Sequence, residues 1–137
     1  MHVKDFLERA LDLDGAIDAQ IAELTHLREL SLKIGTSKLE ERVTRSAPKE
    51  APFAKWVERI VDKEREIDEE IDRLVAIKLD ISNYVDKISD LQQQCVLRYR
   101  YVLCKPWVEI AGKMQCSVSK VKRIHKNFLE NLKNDTI

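Results

Sequence analysis

The 137 residues include only three Gly and three Pro; 35% are charged and 6% are aromatic. Such a chain favours long solvated helices joined by aliphatic seams, and argues against a many-stranded sheet, a disordered chain or a large aromatic core. The formal net charge of zero hides a split: residues 1–90 carry 15 Lys+Arg against 21 Asp+Glu, and residues 91–137 carry 9 against 3, so the two parts suit different partners.

The N-terminal stretch MHVKDFLERALDLDGA lacks the uninterrupted apolar run of a signal peptide, and no segment has the length of a membrane span. A cytoplasmic protein with no membrane partner is the expectation. From Val3 to Ile34 the apolar residues Phe6, Ala10, Leu13, Ile17, Ile21, Leu24, Leu27 and Ile34 recur at helical spacing and predict an amphipathic helix. Gly15 weakens that helix without ending it, and Gly35 is placed as its C-terminal stop. Residues 35–52 (GTSKLEERVTRSAPKEAP) are small, polar and charged, with two prolines near their end, and read as a connector.

A second long helix is expected from about Pro52, a residue suited to a first helical turn. Val57, Ile60, Ile67, Ile71, Leu74, Ile81, Val85 and Ile88 alternate steps of three and four, and Glu64 and Lys78 fall on the same register. This is a coiled-coil seam interrupted twice by charge. Its apolar face matches that of the first helix, so residues 1–89 predict a long antiparallel helical hairpin. Charges inside a seam are suited to fixing register or oligomer state, and a homo-oligomer, in the simplest case a dimer, is the expected assembly.

Asp90, followed by Gln93, has the form of a capping box and restarts the chain as shorter helices. Residues 90–137 predict a three-helix helix-turn-helix domain. Its first helix, Leu91–Tyr101, offers Leu91, Cys95, Val96 and Tyr99 as an inner face, and Val102–Lys105 is a turn. Pro106 opens the second helix, Trp107–Met114, which buries Ile110 and Ala111 and leaves Glu109 in solvent. After the turn Gln115-Cys116, Ser117 caps the third helix, 118–132, which buries Val121, Ile124, Phe128, Leu129 and Leu132. Two short helices joined by a tight turn present the second outward. Here the outward residues are Ser119, Lys120, Lys122, Arg123 and Lys126, a set suited to base edges and phosphates in the major groove. Arg98, Arg100, Lys105 and Lys113 are placed to hold the flanking phosphates by charge.

Cys95, Cys104 and Cys116 lack a CxxC pair and read as small apolar fillers, so no metal or cofactor is expected. Tyr99, Tyr101 and Trp107 read as core, and His125 as a surface residue near phosphate. The three His are scattered, and neither a phosphate-cradling glycine loop nor a nucleophile elbow is present, so the chain does not read as an enzyme.

Arg98-Tyr99, Trp107, Glu109-Ile110-Ala111, Ser117, Val121, Ile124 and Leu132 together resemble region 4 of bacterial sigma-70 factors. The resemblance implies that the helix opened by Ser117 reads duplex DNA, with Val118, Ser119 and Lys122 toward bases, and that the module also touches RNA polymerase. Val118 and Ser119 stand where principal sigma factors carry longer polar residues, so the promoter sequence those factors read is not carried over. With the hairpin and the Gly-Thr-Ser of residues 35–37, the whole chain is similar to small phage and prophage proteins that join a helical hairpin to a sigma-region-4-like domain. Late transcription regulators of the ArpU and RinA type are similar in the C-terminal part. The function this implies is a phage-encoded, DNA-binding transcriptional regulator. Its site comprises Ser117, Val118, Ser119, Lys120, Lys122, Arg123 and Lys126, with Lys105 and Lys113 alongside. A small-terminase-like DNA-packaging protein and a module that engages only RNA polymerase are the alternatives.

Overall fold

The computed structural model describes residues 2–42 and 54–132, without the side chains of residues 35–42. Its helices are α1 (Val3–Arg42), α2 (Ala54–Asp86), α3 (Leu91–Leu97), α4 (Trp107–Met114) and α5 (Val118–Leu132), and a π-helical turn at Arg98–Val102 continues α3. No strand occurs among the described residues, so the all-α class stands.

Gly35 does not stop α1, which runs 40 residues to Arg42. A glycine costs a helix interior only about 1 kcal/mol relative to alanine, and the residues that follow, Lys38-Leu39-Glu40-Glu41-Arg42, are strong helix formers that carry the helix on. The first part of the expected connector is therefore helical. Its remainder, and the expected start of the second helix at Pro52, lie outside the described residues.

The chain forms two compact units: residues 1–15 with 73–137, and residues 16–72. Packing thus does not divide at the residue 89/90 boundary that the change of composition suggests. In the first unit Val3, Leu7, Ala10, Ile81 and Val85 share one buried core with Leu97, Tyr101, Phe128 and Leu132. A second core of Val96, Ile110, Ala111, Val121 and Ile124 lies among α3, α4 and α5. Val96 and Leu97 are adjacent in sequence and both fully buried, because α3 has a core on each side of it. That arrangement leaves Leu91 73% exposed and Cys95 on the surface, against the expectation that both face inward.

In the unit of residues 16–72, Ile17, Leu24, Ser31 and Ile67 are buried, and Val57 and Ile21 are more than 40% exposed. The two seam charges of α2 each meet a charge on α1: Glu64 pairs with Arg28, and Lys78, in the other unit, with Asp14. No described helix is long and apolar enough to cross a membrane.

Candidate nucleic-acid interface

Each turn of the C-terminal module is fixed by its own residues. Asp90 caps α3, its carboxylate accepting from the amides of Gln92 at 2.9 Å and Gln93 at 3.2 Å. Beyond Leu97 the chain widens into a π-helical turn, closed by the Leu103 amide donating to the Arg98 carbonyl at 2.9 Å. The expected single helix Leu91–Tyr101 is therefore α-helical only to Leu97. The added residue per turn rotates Tyr101 into the first core, where it is 4% exposed.

Pro106 precedes α4, and Gln115 ends it in the left-handed conformation, with φ 56° and ψ 46°. The Cys116 amide returns to the Ala111 carbonyl at 3.1 Å, closing the helix end as C-terminal caps with a left-handed residue do. Two residues later Ser117 opens α5, its Oγ accepting from the Lys120 amide at 3.1 Å. Ala111, only 5% exposed, lies in the core shared by α4 and α5, where a larger side chain would hold the helices apart.

Along α5 the buried positions are Val121, Ile124, Phe128 and Leu132. The opposite face presents Ser119, Lys122, Arg123 and Lys126, all exposed, and Asn127, which sequence reasoning passed over. Asn127 follows Arg123 by four residues, so helical spacing alone could have found it. Ser117 is exposed at the N-terminus, and Lys120 is half-buried beside the face.

Three expected positions differ. Val118 is half-buried and packs against the core of α4 and α5, because at three residues before Val121 it shares the buried stripe; it is not part of the outward face. Arg100 lies with its guanidinium 4.5 Å from the centre of the Trp107 ring, and its Nη1 donates to the Lys105 carbonyl at 3.1 Å. It braces the loop between the π-helical turn and α4, while its buried Nε has no hydrogen-bond partner among the described residues. His125 is a half-buried member of an aromatic cluster, 4.8 Å from Trp107 and 5.7 Å from Tyr101 between ring centres. Its Nε2 shares a 2.6 Å hydrogen bond with the Tyr101 hydroxyl.

Burial lowers the His125 pKa below the usual 6.5, helped by the positive charges of Arg100 and Lys4. Burial also pushes the Tyr101 hydroxyl up to about 12. Both rings are therefore held neutral, as their core position requires.

Apart from Arg100, held on Trp107, the described cations of the module fall into two groups. Arg98 pairs with Asp86, Lys105 with Glu109 at 3.4 Å, and Lys126 with Glu130 at 4.0 Å. Lys113, Lys120, Lys122 and Arg123 have no ion-pair partner among the described residues. Three of these four lie in the first two turns of α5, where free N–H groups and the helix dipole add further positive potential. Among the described residues no group of three His, Cys, Asp or Glu is placed to hold a metal ion. Cys116 packs on the core and Cys104 is half-buried, whereas Cys95 is exposed and fills no space. Comparison of the chain with protein-family models, curated proteins and solved structures finds no match.

Proposed function

We propose that the chain is a DNA-binding transcriptional regulator of the phage type, in which α4 and α5 act as a helix-turn-helix and α5 enters the major groove. The observation that carries this reading is the outward face of α5, where Ser119 stands beside Lys122 and Arg123, exposed cations without an ion-pair partner among the described residues. A helix offered outward by a tight turn, with unneutralised cations in its first turns, matches the spacing and charge of duplex DNA. Lys122 and Arg123 serve base edges or phosphates, and Ser117, Ser119, Lys120 and Lys113 the adjoining backbone. Lys105 and Lys126 contribute after exchanging Glu109 and Glu130 for phosphate. α1 and α2 form the antiparallel hairpin that brings copies together, and RNA polymerase is the protein partner this class of module engages.

Selection of bound fragments from random duplex DNA, read by sequencing, tests the proposal. An enriched motif is the expected result. Retention of RNA polymerase with no affinity for duplex DNA at low salt would replace DNA reading by a polymerase-only role. A ring-sized assembly that enriches one packaging sequence would replace regulation by DNA packaging.

A further inference from the structure

Among its described residues the unit of residues 16–72 buries few side chains and leaves an apolar groove along one face. The groove, about 450 Å³, is lined by Leu27, Leu30 and Ile34 of α1 and by Trp56 and Ile60 of α2. Among the described residues of this unit no third element covers the groove, and apolar surface of this kind is stabilised by a partner.

The charges beside the groove identify that partner. Arg59, Lys63 and Glu66 line it, and Glu70 continues the same helical stripe. Their spacings are four, three and four residues, and their signs run plus, plus, minus, minus. Reversing the direction of the helix turns this pattern into its complement: Arg59 falls opposite Glu70, and Lys63 opposite Glu66, in a single register. A two-fold interface requires the same patch on both sides to complement itself, with residue i meeting j and j meeting i. Rows of charge flanking an apolar seam set orientation in helical pairs. Lys63 and Glu66 are exposed enough to re-pair; the present partner of Lys63, Glu23, lies 3.6 Å away with both side chains at least 40% exposed.

We infer that a second copy of this chain docks on this groove, α2 antiparallel to α2, with Arg59 and Lys63 of each copy against Glu70 and Glu66 of the other. The inference rests on the reading of α1 and α2 as the oligomerisation element and specifies its face, direction and register. The opposite side of the unit, with Leu32, Val57 and Val61 exposed, lacks this charge reversal.

The test compares three full-length proteins by sedimentation equilibrium, alone and mixed, after circular dichroism shows each to be helical. They are the wild type, Arg59→Glu with Lys63→Glu, and Glu66→Lys with Glu70→Lys. The expected result is a wild-type dimer, a dissociation constant raised about tenfold or more for each variant alone, and a heterodimer when the two variants are mixed. Recovery in the mixture separates interface charge from any loosening of the Lys63–Glu23 pair within one chain. A wild type that stays monomeric at micromolar concentration overturns both this inference and the oligomerisation reading. Variants that associate as tightly as the wild type overturn this inference alone, because the contact then lies on another face. Should a variant fail to fold, the wild type decides. Zero-length amine–carboxyl coupling of mixed isotope-labelled and unlabelled chains then gives a Lys63–Glu66 link between the two isotopes. Its absence from a coupled dimer overturns the register.

Discussion

The Nζ of Lys78 donates to the Asp14 carboxylate at 2.7 Å, with the two side chains only 24% and 20% exposed. Lys78 occupies a seam position between Leu74 and Ile81, both buried, so the pair sits at the margin of the core. Removing one partner leaves the other poorly solvated and uncompensated, whereas replacing both by apolar groups removes the desolvation cost too. Lys78→Ala is expected to destabilise the protein by about 1–2 kcal/mol. Asp14→Leu combined with Lys78→Leu is expected to be neutral or stabilising. Urea unfolding of the single and double variants checks this, and a neutral Lys78→Ala would show that the pair contributes nothing.

The His125 cluster predicts a pH dependence. The folded pKa lies below the unfolded value of 6.5 because burial disfavours the imidazolium. The neutral ring's contribution is thus fully present above the unfolded pKa, and declines as pH falls from there toward the lowered folded value. The melting temperature is expected to fall between neutral pH and mildly acidic pH, and to fall less in His125→Gln. Parallel melting curves for the two proteins across that window would contradict the assignment.

Two backbone positions are open to stabilisation. Gly15 lies inside α1, and a Cβ added there would meet nothing within 4 Å beyond its chain neighbours and its own helical backbone. Gly15→Ala should therefore stabilise by about 1 kcal/mol through helix propensity alone. Gln115 holds φ at 56°, a conformation that costs a side-chain-bearing residue about 1 kcal/mol. Gln115→Gly should recover part of that, by several tenths of a kcal/mol. Differential scanning calorimetry reads both, and a lower melting temperature for Gln115→Gly would mean that the Gln115 side chain has a role in the turn.

The helices and the face of α5 were legible in the sequence because they rest on local rules. Ser117 caps, Pro106 precedes α4, and the apolar spacing Val121, Ile124, Phe128, Leu132 leaves Ser119, Lys122, Arg123 and Lys126 on the other side. What escaped depends on contacts distant in sequence. The π-helical turn at Arg98–Val102 serves two cores at once, which no single periodicity encodes. Arg100 and His125 read as surface charge and surface imidazole until Trp107 is placed between them. Leu7 is fully buried while Ile21 and Ile34 are 40% exposed or more, because residues near Leu7 and Ile81 share a core with α3 and α5, whereas Ile21 and Ile34 belong to neither buried core among the described residues. Gly35 misled for a different reason: one unfavourable residue is outweighed by the helix formers that follow it.

Val118 separates the packing reading of α5 from the reading carried over by resemblance. Since it packs with Ile110, Ala111 and Val121, Val118→Ala should cost stability, on the order of 1 kcal/mol, and leave the salt dependence of DNA binding unchanged. Thermal melting and fluorescence anisotropy together check this. A loss of sequence preference at undiminished stability would return Val118 to the reading face.

The central claim, that α5 engages duplex DNA through Lys122 and Arg123, is tested most directly by the salt dependence of binding. Affinity for a selected duplex is measured by fluorescence anisotropy over a range of salt concentrations, for the wild type and for Lys122→Ala with Arg123→Ala. Removing one cation that neutralises a phosphate reduces the slope of log K against log salt by about 0.9. Removing a group that reads only a base edge lowers affinity without that change. The double variant is expected to bind at least tenfold more weakly, with a slope reduced by about 1–2. An unchanged affinity and slope would contradict the assignment of this face to DNA.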